Sequence, residues 1–280
     1  VSNVPRGASA AVIVIEDDKV TKLDTAATGT RVRQQGLWLR DYPNNHLPQV
    51  EHVTSGGYEM NRLHDVDLSE FLDDPMHLLE ECWRIYRKIS HPLQTPHRQW
   101  ARNPFVALNE RVIDRYVVDL CLPLGAYAAL TRLHELRSEV VWPVQLVWTH
   151  GDPILDNVMR DDEGHVVFVD AIPPCPALPS LDVVDFGRFI QSAAGYEQIR
   201  YAGAAPKRDV IVDRISTVLN WIAQGDPYSG FNVDQVRASL FYSVIHMLRG
   251  ARTCRDADDQ ATMISVATGV LLEELNTWML

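Results

Sequence analysis

The 280-residue sequence changes character once, and that change limits its fold more than any other feature. Up to Arg62 it reads as short strands around a single helix. Beyond Arg62 it reads as a succession of helices. "AAVIVI", residues 10–15, is rich in β-branched side chains; "DDK" makes a turn, and "VTKLD" follows as a second strand of a hairpin. "TRVRQQGLWLRDY", residues 30–42, joins good helix formers, with Thr30 as a cap and Pro43 just past the end. "QVEHVTSGGYEMNRL" predicts two more strands joined at Ser55-Gly56-Gly57. From "SEFLDDPMHLLEECWRIYRKIS" onward, apolar Leu78, Leu79, Ile85 and Ile89 recur at near-helical spacing, with Ser69 or Asp73 available as a cap. Further helices are expected over 110–120, 124–137, 181–194, 207–223, 233–249 and 260–279; in the 233–249 helix Val236, Leu240, Val244 and Met247 form a core stripe. Strands followed by helices predict an α+β architecture with a small β-rich N-terminal lobe, residues 1–62, and a larger, mainly helical C-terminal lobe, residues 63–280.

One segment of the helical half breaks the pattern. "THGDPILDNV", residues 149–158, packs polar side chains into an apolar run. A short strand is expected on each side, "VQLVW" before it and "HVVFVD" after it, with the turn "RDDEGH" leading into the second. If the flanking segments pair, Asp152, Asn157 and Asp170 converge on one small space. A carboxylate there can accept a hydroxyl proton. A second carboxylate with an amide oxygen suits Mg²⁺, which prefers oxygen ligands and binds through few protein groups. A positioned hydroxyl and a neutralised phosphate are what phosphoryl transfer needs.

Composition excludes several classes. The formal charge of -11 argues against general nucleic-acid binding, which requires a basic face, and would suit a cationic small molecule. Cys82, Cys121, Cys175 and Cys254 are scattered without a CxxC pair, so a reduced cytoplasmic protein without structural zinc is expected. No apolar run approaches the ~20 residues of a membrane span, and the N-terminal apolar run reads as a strand and not as a signal peptide.

"HGDPILDN" followed by "VFVD" resembles the catalytic motif of the aminoglycoside phosphotransferase and choline kinase family, a small-molecule branch of the protein-kinase-like fold. The resemblance implies that Asp152 is the catalytic base, that His150 supports the geometry of its loop, and that Asn157 and Asp170 bind Mg²⁺. A literal "DFG" at Asp185-Phe186-Gly187 lies too far from Asn157 and inside a predicted helix, so Asp185 is given a supporting role and not the metal.

The same resemblance locates the nucleotide side. Lys22 stands where the family's phosphate-binding lysine falls. Gly7 and Ser9 would cover the phosphates through backbone N–H groups, and the hinge at Met60, Asn61 and Arg62 would carry the adenine. ATP, or alternatively GTP, is the implied donor. The sequence departs from the family at Gln35, where a Glu usually pairs with the lysine; Glu51 is a candidate substitute. Ile154 stands where protein kinases carry a Lys, and the APE element is absent, so the expected acceptor is the hydroxyl of a small molecule: an antibiotic, a sugar or a related natural product. A monomer or homodimer is expected, with neither nucleic acid nor membrane as partner. Two other readings remain open: a kinase-like nucleotide-binding module without efficient turnover, and a metal-dependent hydrolase using His150, Asp152 and Asp170.

Overall fold

A computed structural model of the chain describes residues 11–16, 18–25, 30–42, 44–90, 124–139, 149–172, 182–224, 233–254 and 256–280. The expected phosphate loop at Gly7 and Ser9, the expected helix 110–120 and the expected strand "VQLVW" lie outside these residues. The fold is mixed α+β: small antiparallel sheets and a helical bulk. It divides into two compact units, one of residues 1–67 and 150–173, the other of residues 68–149 and 174–280.

The first unit is built on a four-stranded antiparallel sheet. Its strands are β1 (Ala11–Ile15), β2 (Lys19–Asp24), β3 (Val50–Val53) and β4 (Gly57–Asn61), in the order β1-β2-β4-β3. The register sets Lys22 across from Ile13 on one side and Tyr58 on the other. Helix α1 (Thr30–Asp41) packs on β2, β3 and β4, burying Val32, Gln35, Gly36 and Leu39. Gly36 is required for that approach, because a Cβ there would sit 2.6 Å from the Tyr58 Cβ. The close contact brings the neighbouring Gln35 against the sheet.

A three-stranded sheet completes this unit: β5 (His64–Asp65), β6 (Val158–Arg160) and β7 (Val166–Phe168), in the order β5-β6-β7. Leu63, Val167 and Val169 form a small core with Met159 packed against it. His46 ties β7 down twice, its carbonyl accepting from the Phe168 N–H at 2.9 Å and its Nδ1 lying 3.1 Å from the Val166 carbonyl. The predicted strand over 165–170 is therefore shorter at both ends.

The second unit is helical. The single helix expected after Ser69 is two, α2 (Leu68–Leu72) and α3 (Pro75–Ile89). Pro75 is the cause: it disfavours helical backbone at Asp74 and is itself comfortable at the first helical position. One face of α3 buries Leu78, Cys82, Trp83, Ile85, Tyr86 and Ile89. Next come α4 (Leu124–Glu139), α5 (Asp182–Ala193) and α6 (Tyr196–Ala202). The series ends with α7 (Arg208–Gln224), α8 (Val233–Ala251) and α9 (Ala257–Val266), then α10 (Leu272–Met279). Every residue of α5 is buried, and α8 is its principal packing partner. Val236, Leu240, Val244 and Met247 are core, as their spacing predicts. Trp83 is the aromatic centre, with ring centroids 5.1 Å from Phe186 and 5.5 Å from Phe189.

Two more expectations are corrected. The helix predicted over 260–279 starts earlier, at Ala257, where the Asp256 side chain accepts from the Asp258 N–H, and a π-helical stretch, Ala267–Leu271, interrupts it. Helix α6 was not expected at all; Gly195 (φ 89°) and Gly203 (φ 66°) bracket it. Among the described residues no helix is long and apolar enough to cross a membrane.

Candidate active site

The site is built around a buried lysine. Lys22 is 4 % exposed, on the face of β2 that also buries Val20. A buried ammonium must be paired and hydrogen-bonded. Lys22 donates to Gln35 Oε1 at 3.0 Å and makes a short ion pair with Asp170 Oδ1. Glu51, the proposed substitute acid, does not serve Lys22. It pairs with Lys19, which also bonds Glu59. Glu51, His52 and Glu59 lie close enough to hold a cation, but Lys19 already bridges the two carboxylates.

The polar segment forms a compact loop. Gly151 has φ 83°, and a Cβ there would meet the Ile172 carbonyl oxygen at 2.8 Å. The Asp152 carbonyl is doubly engaged, by the Ile154 N–H at 2.9 Å and by Asn157 Nδ2 at 2.8 Å. A 3₁₀ turn, Leu155–Asn157, then leads into β6. Ile172 N–H closes the loop onto the His150 carbonyl at 2.7 Å. The His150 ring is fully buried, 5.5 Å from the Phe168 ring. Burial lowers its pKa to about 4, against the opposing pull of the Asp152 and Asp170 carboxylates and the backbone of Val169 and Asp152. The ring is therefore neutral at pH 7.

The hairpin of β6 and β7 supplies the remaining groups. Its register sets Val158 opposite Phe168, and the Val169 N–H donates to the Asn157 carbonyl at 2.8 Å. Asn157 thus lies across from the residue that precedes Asp170. Asp170 is in the left-handed region at φ 60°, a conformation uncommon for residues other than glycine and often found at functional sites. Its side chain is about one-third exposed. With Nδ2 committed to the Asp152 carbonyl, Asn157 has its Oδ1 lone pairs left for a ligand. Asn157 and Asp170 therefore offer oxygen atoms, the ligand type that Mg²⁺ prefers.

The predicted site residues thus fall out as follows. Lys22, His150, Asp152, Asn157 and Asp170 lie in one compact unit: Lys22 pairs with Asp170, Asn157 Nδ2 bonds the Asp152 carbonyl, and the backbone N–H groups of Val169 and Ile172, on either side of Asp170, bond the carbonyls of Asn157 and His150. Met60, Asn61 and Arg62 belong to the same unit at the end of β4; there the Asn61 N–H bonds the Gln49 carbonyl and the Arg62 N–H the Asp18 carbonyl. Gly7 and Ser9 are outside the described residues. The literal Asp185-Phe186-Gly187 is inside α5, where Asp185 is fully buried and Phe186 is core. Sequence reasoning missed Tyr58 and the Ala171 carbonyl, both of which bond Gln35.

No protein-family model matches the sequence, and no curated protein matches it. Solved structures do. An ethanolamine kinase of Plasmodium vivax superposes with a TM-score of 0.55 at 9 % identity, covering 96 % of this chain and 83 % of that one. A choline kinase of Streptococcus pneumoniae gives 0.54 at 10 % identity, covering 96 % and 92 %. A choline/ethanolamine kinase family protein of Mesorhizobium loti gives 0.50 at 14 % identity, covering 99 % and 88 %. The chain therefore has the kinase-like fold of choline and ethanolamine kinases, the fold that its motif implied.

Proposed function

We propose that the protein is a Mg²⁺- and ATP-dependent phosphotransferase that moves the γ-phosphoryl group to a hydroxyl of a small molecule. The observation that carries this reading is one arrangement: a buried Lys22 paired with Asp170, which follows a hairpin that also holds Asn157 beside the Asp152 loop. Asp152 accepts the proton of the acceptor hydroxyl as its oxygen bonds the γ-phosphorus and the bond to the β-phosphate oxygen breaks, releasing ADP. Lys22 holds nucleotide phosphate. Asn157 and Asp170 hold Mg²⁺, which when bound neutralises charge on the phosphates. His150 stays neutral and fixes the loop.

A small acceptor is favoured over a protein because buried Ile154 stands where protein kinases carry a Lys. The charge of -11 favours an acceptor that is itself cationic. The choline and ethanolamine kinases of like fold make hydroxylated amines the first acceptors to screen.

The test is thermal stabilisation by ATP with and without Mg²⁺. A ligand that binds only the folded state raises its apparent stability, by about 2.7 kcal/mol at a hundred times its Kd. A Mg²⁺-dependent shift in the wild type that Asp170→Ala abolishes is the expected result. No shift at millimolar ATP would overturn the proposal. Asp152→Asn should keep the shift and lose transfer; full transfer in that variant would remove Asp152 as base.

A further inference from the structure

Gln35 occupies the position where an acidic partner for Lys22 was expected, and its surroundings explain why it is an amide. It is 8 % exposed and makes three hydrogen bonds. Its Oε1 accepts from Lys22 Nζ at 3.0 Å and from the Tyr58 hydroxyl at 3.2 Å. Its Nε2 donates to the Ala171 carbonyl at 2.5 Å. The amide can be oriented only this way, since an ammonium offers no lone pair and a carbonyl offers no proton. Burial and the nearby Asp170 push the Tyr58 pKa well above the usual range, so its hydroxyl remains a donor. Gln35 thus joins β2, β4 and the backbone directly after Asp170.

We infer that Gln35 is a positioning residue of the phosphotransfer site: its amide holds Lys22 on one side and the Asp170–Ala171 segment on the other. This rests on the function proposed above. A carboxylate could keep the Lys22 and Tyr58 bonds, but it would turn a lone pair toward the Ala171 carbonyl. That buried carbonyl would lose its donor, and the segment presenting Asp170 would lose its anchor on α1. Gln35 is therefore the residue type this backbone requires and not a weakened glutamate.

The two readings predict opposite signs for one substitution. If Gln35 were a weakened acid, Gln35→Glu would complete an ion pair with Lys22 and add negative charge near the metal ligands, tightening metal binding. If it positions Asp170, Gln35→Glu weakens metal binding despite the added charge. Gln35→Met, uncharged and of similar length, should weaken it as well.

The measurement is Mn²⁺ binding to the ADP-loaded protein, with free Mn²⁺ read by electron paramagnetic resonance. About a tenfold loss of affinity is expected in both variants, the scale of one lost buried hydrogen bond. The inference stands only if both lose affinity. Wild-type or tighter Mn²⁺ binding in either folded variant overturns it while leaving the phosphotransferase reading intact. If Gln35→Glu does not fold, wild-type Mn²⁺ affinity in Gln35→Met still overturns the inference. A wild-type protein that binds no Mn²⁺ with ADP, or that binds it equally after Asp170→Ala, overturns the phosphotransferase reading and this inference together.

Discussion

At the scale of single residues, the position of Asp152 is set by the residue before it. Gly151 holds a left-handed φ of 83° and lies so close to Ile172 that any side chain would collide with backbone. Gly151→Ala adds conformational strain to that collision. The expected cost is about 1–3 kcal/mol of stability, with a larger fractional loss of phosphoryl transfer than of MgATP binding, because the loop carries Asp152, the proposed base. Urea unfolding together with turnover and nucleotide titration checks this. A variant that unfolds and turns over like the wild type would show that the loop tolerates the change.

At the scale of elements, the β6–β7 hairpin is the platform, and Phe168 is its keystone. The ring is fully buried, packs on the His150 ring, and belongs to the strand that ends two residues before Asp170. Phe168→Ala should cost about 3–5 kcal/mol, and in molecules that remain folded it should weaken Mg²⁺-dependent nucleotide binding. Calorimetry followed by a Mg²⁺ titration tests both parts; loss of stability with unchanged Mg²⁺ dependence would confine Phe168 to packing. This hairpin was legible in the sequence because its polar residues interrupt an apolar run at fixed spacing. Gln35 beside Lys22 was expected from the resemblance, but the rest of that junction, the bonds to Tyr58 and the Ala171 carbonyl, was not legible. Its bonds join residues far apart in the chain and depend on the pairing of β2 with β4, which a sequence does not display. Helix boundaries failed for local reasons. Pro75 split one helix in two, a π-helical stretch divided another, and α6 is too short to develop an apolar period. The buried faces of α3 and α8 were readable, since each repeats its pattern over several turns.

At the scale of the whole molecule, buried titratable groups set how the fold responds to acid. Burial lowers the His150 pKa to about 4 from the ordinary imidazole value of 6.5. His246 is fully buried and lies well below that same value, from burial first and then from Arg188 and Arg249. Both favour the neutral ring in the folded state. The unfolded chain therefore binds more protons below pH 6.5, and the stability they contribute is lost as pH falls from 6.5 toward 4. For His150 alone the full loss is about 3 kcal/mol. Asp182 works in the opposite sense. Burial raises its pKa to about 6, outweighing the bonds it accepts from the Val183 N–H and Gln235. The folded state then holds the Asp182 proton more tightly than the unfolded chain does, which adds stability as pH falls from 6 toward 4. Two histidines oppose one aspartate, so the thermal midpoint should fall between pH 7 and pH 5, with Asp182 softening the decline. Asp182→Asn removes the softening, so its midpoint should fall more steeply than that of the wild type over the same range. Melting curves at half-unit pH steps decide the matter: a flat wild-type profile would remove the histidines as the acid-sensitive groups, and a shallower profile in the variant would reverse the sign assigned to Asp182.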